Sequence, residues 1–469
     1  MQTLIIPIIP DLPNLVHASA ADTAWAITAT LLAAAVATPV MGRLGDMYGK
    51  RRMLLISLVI LVVGSVIGAL ATSLIPLVIG RALQGLASGV IPLGMSLLRD
   101  VMKPEKLAGS VAIISASLGV GGALGMPIAA IIAEYSSWHM LFWVSAALGV
   151  VVAGLTVVFV PESHLRSAGS FDYIGASALS AALIALLLAI SKGSDWGWAS
   201  GTTVVLFAVA VVVFAAWVAW ELRATRPLVD LRVAVHKQVL FTNLASIVFG
   251  FAMFAQSLVI PQIIQIPEAS GYGLGRSVLV AGLAMAPGGL VMMAMAPLSS
   301  RITMTWGPKF TLMSGAVVVA LGYLTGVVWM HSVWQIVLLT CIISAGIGLA
   351  YAAMPALIMG AVPPEETGAA NSFNTLMRSL GTSFASAIAG VIIASVTTTL
   401  GSAVIPSEGA FQITMAVAAG SSVAALLLAM LLPHYRPARA GEVEAAGSVD
   451  QGTPGGPDSS ADDALSARV

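Results

Sequence analysis

Apolar runs of roughly 18 residues or more recur along this chain from end to end. Each is long enough to cross the ~30 Å hydrocarbon core of a bilayer as a helix. In lipid only helices and closed barrels satisfy every backbone polar group. The runs are continuous rather than alternating in ~10-residue strands, which excludes a barrel. Of the 469 residues only 9% are charged, against about 25% in a soluble domain. The chain therefore reads as an all-α polytopic membrane protein. Spans are predicted at about 1–16, 24–42, 53–73, 76–98, 108–133, 139–160, 173–191, 202–222, 239–263, 277–299, 310–329, 333–361, 369–397 and 409–432, fourteen in all. The first begins at Met1 inside hydrophobic sequence, with neither the basic n-region nor the small-residue cleavage site of a signal peptide. It reads as a shortened span whose start lies upstream. After Pro433 the composition turns to Gly, Ala, Ser, Asp and Pro, so 434–469 is expected to be a disordered tail.

An even number of spans puts both termini on one side. Arg43, Lys50, Arg51, Arg52, Arg99, Lys103, Lys106, Arg166, Arg223, Arg226, Arg232, Lys237, Arg301, Lys309, Arg436, Arg439 and Arg468 then share that side, and only Lys192 and Arg276 fall opposite. The positive-inside rule makes the first side cytoplasmic. Arg81 and Arg378 fall within or at the edge of helices. The net charge of zero names no nucleic-acid partner. The single cysteine, Cys341, reads as a small buried hydrophobe.

The two halves echo each other. Gly42-Arg43-Leu44-Gly45-Asp46-Met47-Tyr48-Gly49-Lys50-Arg51 has a worn counterpart in Ser300–Lys309, and Lys103-Pro104-Glu105-Lys106 has one in Pro363-Pro364-Glu365-Glu366, each pair about 260 residues apart. Parallel repeats around a midplane cavity are a transporter architecture. The expected division is a six-helix bundle over 1–160, two additional spans with linkers over 161–238, and a second six-helix bundle over 239–433.

The Gly42–Arg52 stretch resembles the loop between helices 2 and 3 of the major facilitator superfamily, and the rest of the chain fits that family's fourteen-helix drug:proton antiporter branch. Trp25 and Pro39 frame the preceding span as in that branch. Arg81-Ala82-Leu83-Gln84-Gly85 resembles its Arg-x-x-Gln-Gly element, and Pro227-Leu228-Val229-Asp230-Leu231 its Pro-Leu-x-Asp-Leu stretch; Pro287-Gly288-Gly289 and Asn371-Ser372-Phe373-Asn374 also fit. Two positions depart from the pattern. Met1 stands where the branch has an Asp two residues before a Thr, here Thr3. The helix 5 antiporter element reads Gly121 through Gly125-Met126-Pro127-Ile128-Ala129-Ala130, with its proline shifted and its final glycines replaced. The resemblance implies a secondary active transporter of the cell membrane, exporting a small lipophilic compound (a drug, an antibiotic or a biosynthetic product) in exchange for protons by alternating access. The departures keep open a facilitator or importer without proton coupling, or an inactive shortened chain. A membrane-embedded enzyme would need paired carboxylates or a metal cluster, and Glu365-Glu366 is the only acidic pair before the tail. No cofactor or metal is implied, and the expected partners are the substrate, protons and the bilayer, with the protein a monomer.

Residue by residue, Arg81 is the sharpest feature. A guanidinium inside a span is functional by default, the alternative being one that snorkels to the interface. Gln84 lies one turn on. Asp11, after Pro7 and Pro10, is either a titratable partner for Arg81 or a solvated residue at a helix end. In the loop motif Gly42 and Gly49 are expected to turn the backbone. By resemblance, Asp46 caps the helix that begins near Gly368 and Lys50 pairs with Asp100, together with Arg43 and Arg51 making a latch that holds the outward-facing state; the alternative is a basic loop that only sets topology. Met304 stands in Asp46's place in the second half, so the latch should be one-sided. Gly119, Gly121, Gly122 and Gly125 suggest close helix packing. The amides Gln84, Asn243, Gln256, Gln262, Asn371 and Asn374 are the polar groups available to a substrate cavity, and with no deep carboxylate they favour neutral or weakly acidic apolar ligands over permanent cations.

Overall fold

The structure is a computed structural model, and it describes residues 5, 8, 12–23, 25–163, 165–167, 170–225, 227–400 and 403–433. Its helices are α1 (Leu12–Leu15), α2 (Ala20–Thr23), α3 (Trp25–Tyr48), α4 (Lys50–Ala69), α5 (Leu74–Leu86), α6 (Val90–Val101), α7 (Pro104–Tyr135), α8 (His139–Phe159), α9 (Tyr173–Trp196), α10 (Gly201–Glu221), α11 (Leu231–Ala234), α12 (Lys237–Gln265), α13 (Val278–Ala294), α14 (Ala296–Trp306), α15 (Pro308–Val328), α16 (Val333–Met359), α17 (Thr367–Ser395) and α18 (Glu408–Met430). A 3₁₀ turn, Ala87–Gly89, joins α5 to α6 as one span, and α13 runs into α14 at Met295, just before Pro297. Among the described residues, twelve helical segments are long and apolar enough to cross a membrane. With α7, at 32 residues, they correspond one for one to the predicted spans from 24–42 onward.

The all-α reading holds, and one expectation, about the basic segment 43–52, needs correction. Between α17 and α18, β1 (Thr397–Leu400) and β2 (Ala403–Pro406) pair antiparallel, where β-branched Val396, Thr397, Thr398 and Thr399 favour extended backbone and stop α17 at Ser395. The segment 43–52 is not an open loop, because α3 continues to Tyr48 and the reversal falls on Gly49 alone, at φ 110°. Only a residue without Cβ adopts that conformation cheaply. Gly307, at φ 89°, makes the same reversal between α14 and α15, so the repeat extends to backbone geometry. Of the first predicted span only part is described. Ile5, Ile8, Leu12 and Val16 are buried against Ala26, Leu77, Leu141 and Phe142. The tail 434–469 lies outside the described residues.

A second sign of the repeat is a pair of reciprocal glycine contacts. A Cβ on Gly64 of α4 would sit 2.7 Å from the Gly80 carbonyl of α5, and one on Gly80 would sit as close to the Gly64 carbonyl. Gly315 of α15 and Gly346 of α16 repeat this arrangement, again at 2.7 Å each way. Small residues at these crossings let helix backbones touch where lipid offers no hydrophobic drive. Beyond the halves, α3 packs on α17, and α7 on α13 and α16. The additional pair α9 and α10 pack on each other, and α9 lies against α3 and α17 around Leu183, Leu187, Trp217 and Leu376. On α10, Val204, Val205, Val211 and Val212 are all exposed, as a helix bordering lipid requires.

Candidate functional site

The chain's basic face is closed by a cluster that joins α3 and α6 to the start of α17. Asp46, fully buried near the end of α3, accepts hydrogen bonds from Gly368 N (3.0 Å, at Oδ1) and Ala369 N (2.7 Å, at Oδ2). Both N–H groups belong to the first turn of α17, where backbone donors have no helical partner and the dipole favours negative charge. Glu366, which precedes the helix, makes no side-chain cap of its own, so Asp46 does that work from another helix. Lys50, also fully buried, donates to Asp100 Oδ2 at 2.7 Å and to Thr367 Oγ1 at 3.0 Å, and lies 3.5 Å from Asp46. Two carboxylates around one ammonium offset the cost of burying it.

Gly42 has a different task from the expected turn. It lies within α3, and a Cβ there would overlap Ser372 Oγ of α17, so it is the close approach of the two helices that requires glycine. Arg43 is 7% exposed and donates to Ser167 Oγ at 3.3 Å. Together with Asp230 and Glu366 it lines a cavity of about 260 Å³ beside this cluster. Arg51 donates from its backbone N–H to Glu162 Oε1 (3.1 Å) and from Nη2 to the Val157 carbonyl (2.6 Å). The second-half counterpart of Asp46, Met304, is 49% exposed. Sequence reasoning missed Thr367, whose Oγ1 also meets Ser96 Oγ at 2.6 Å; Arg99, which donates to the Val362 carbonyl; and Glu162 and Ser163, which bind Arg51 N–H and Asp100. The helix-ending Pro161 followed by the polar pair Glu162-Ser163, just beyond α8, was the available signal.

Toward the other face, Arg81 of α5 is 1% exposed, which removes the snorkelling alternative. Its Nε donates to the Ala26 carbonyl at 3.1 Å and its Nη1 to Gln84 Oε1 at 2.7 Å, while Gln84 Nε2 donates to Ser65 Oγ at 2.9 Å. Arg81 and Gln84 line a small cavity with Ile5, Phe142 and Ser145. Asp11, the partner the sequence offered, lies outside the described residues.

In the second and third turns of α17 the expected amides come partly together. Asn374 Nδ2 donates to Asn243 Oδ1 (2.9 Å) and Ser246 Oγ (2.8 Å), tying α17 to α12. Asn371 and Asn374 line a central cavity with Arg378 and Tyr351, walled by Ile91, Pro92 and Met95 of α6. Gln256 and Gln262 do not line it: Gln256 is held by Ser344 Oγ at 3.3 Å, and Gln262 is only half-buried. On α7 the glycines divide. A Cβ on Gly119 would overlap Met292 of α13, and buried Pro127 sits 3.2 Å from where a Cβ on Gly282 would be, but Gly121 faces open space, so the close-packing expectation fails there; Gly125 is half-buried.

These geometries stand beside likenesses to known proteins. The profile described as Major Facilitator Superfamily matches residues 1–386 and, overlapping, 242–455. "Multidrug resistance protein 3" of Bacillus subtilis is 25% identical over 384 residues, covering 80% of this chain and 73% of that protein. The "Tetracenomycin C resistance and export protein" of Streptomyces glaucescens is 28% identical over 407 residues, covering 84% and 73% respectively. Among solved structures, the human organic anion transporter MFSD10 superposes with a TM-score of 0.63 at 14% identity, over 91% of this chain and 95% of that one, which speaks to the fold alone. With its multi-pass helices, its internal repeat and a profile match over most of its length, the chain is a transporter that belongs to the Major Facilitator Superfamily.

Proposed function

We propose that this protein exports a small lipophilic compound across the cell membrane in exchange for protons, as a monomer of two six-helix bundles with α9 and α10 outside them and both termini cytoplasmic. The observation that carries the reading is the buried Asp46–Lys50–Asp100 cluster, which bonds the end of α3 to the first turn of α17. Such a contact closes one face of a two-part transporter and must open when access alternates. The sorting of Lys and Arg supports placing that face in the cytoplasm, so the form described is closed inward. The relatives named for resistance and export support the direction. Arg81, buried beside Gln84 on the far side of the latch, is the proposed coupling residue, with Asp11 as its titrating partner.

One observation favours a second reading, a facilitator without protons: among the described residues every carboxylate of the spanning helices sits at or near a helix end. Everted membrane vesicles decide between them. Proton-coupled export predicts that an imposed gradient, acid inside, drives uptake of a lipophilic fluorescent substrate and that a protonophore abolishes it. Uptake indifferent to the gradient and the protonophore would leave the facilitator.

A further inference from the structure

We infer that the central cavity is a subsite for an organic anion, in which Arg378 takes the carboxylate or phenolate of an otherwise apolar substrate; the inference rests on the export reading and names its substrate class. Arg378 is 7% exposed, midway along α17. Among the described residues no carboxylate lies within ion-pair distance of it. Its hydrogen bonds go to neutral acceptors at the long end of the range: Nη1 to Asn374 Oδ1 at 3.5 Å and Nη2 to Thr375 Oγ1 at 3.3 Å. One face stacks on the Tyr351 ring, 4.3 Å from its centroid. A guanidinium carries five donors in a fork that matches a carboxylate, and a buried charge without a counterion is costly.

A second observation points the same way. Asn371, 4% exposed and lining the same cavity, has both side-chain amide atoms without a hydrogen-bond partner. Buried amide groups are nearly always satisfied, so this one is available to a ligand. The opposite wall is apolar: Ile91, Pro92 and Met95 of α6, Leu118 of α7 and Pro355 of α16. The cavity is about 10 Å³, room for about one water, so a larger ligand enters only as α6 and α7 draw away from α16 and α17. The site pairs one fixed positive fork and one free amide with a hydrocarbon surface contributed by both halves. An anionic head on an apolar body satisfies all three, and a permanent cation would meet Arg378 with like charge.

The test uses the full chain in lipid nanodiscs and three probes with one aromatic body: 1-pyrenebutyrate, its methyl ester and pyrenylmethyl-trimethylammonium. Fluorescence titration should show the acid bound about tenfold or more tighter than the ester, as charge-assisted bonds to a buried Arg imply, and the cation weakest. Arg378→Gln should remove the preference and leave ester binding; Arg378→Lys should keep part of it. Asn374→Asp places a carboxylate against the guanidinium and should remove the preference; because it also loses the amide donor to Asn243 and Ser246, retained ester binding serves as its fold control and decides the matter if Arg378→Gln fails to fold. Equal binding of acid and ester by the wild type, or a preference that survives Asn374→Asp, overturns the inference. The two readings separate cleanly. Arg378-dependent binding of the acid with no gradient-driven uptake would remove proton-coupled export and keep the subsite. Gradient-driven uptake of ester and acid alike would do the reverse.

Discussion

Asp46→Asn should lower transport by about tenfold or more with expression unchanged, because hydrogen bonds to a charged group are worth ~1.5–3 kcal/mol each. The carboxylate presents an oxygen to each of two N–H donors, Gly368 and Ala369. An asparagine has one oxygen and one NH₂, so one of those donors would face another donor at a fully buried position. Lys50, at 3.5 Å, would also keep only Asp100 as counterion. The loss falls on the form in which α3 and α17 are joined, so the closed face becomes less populated and the cycle idles open. Substitution of exposed Met304 by Ala should change transport by less than about twofold, since nothing comparable is made there and exposed positions usually matter little. Transport rates per molecule in vesicles, normalised by immunoblot, check both. Equal sensitivity at the two positions would remove the one-sided latch.

Arg81→Ala should abolish transport even under a full pH gradient. The guanidinium is buried and holds Gln84 Oε1 and the Ala26 carbonyl, so truncation strands an amide that Ser65 alone then engages. A stranded buried polar group costs ~1–3 kcal/mol, and loss of a coupling charge removes the step itself. Arg81→Lys should retain a little transport, since the charge stays while the fork is lost. Thermal unfolding in detergent, read beside uptake, separates loss of coupling from loss of fold. Wild-type uptake in Arg81→Ala vesicles would end the functional reading of this residue.

The placement of the helices was legible because length and hydropathy carry it: spans predicted at 139–160 and 202–222 lie at His139–Phe159 and Gly201–Glu221. The contacts proposed to form the latch were legible through resemblance: Asp46 meets Gly368 and Lys50 meets Asp100. Gly42 was misread because a glycine at a close crossing and a glycine in a turn look alike in one dimension; Ser372, more than 300 residues on, decides it. The hairpin at Thr397–Pro406 escaped because short β-branched runs differ little from the end of an apolar helix. Arg378 was visible as a charge within a helix, as Arg81 was, but its isolation from carboxylates is a three-dimensional property.

The claim that the latch opens and closes in the working cycle can be measured as a distance. Cys341 is the chain's single cysteine, so a Cys341→Ser background accepts spin labels at Tyr48→Cys on α3 and Pro363→Cys just ahead of α17, both exposed positions. Pulsed electron–electron distance measurements in nanodiscs should resolve a short and a long population in the wild type, and Asp46→Asn should shift weight to the long one. A single short distance, unmoved by Asp46→Asn, would contradict the account.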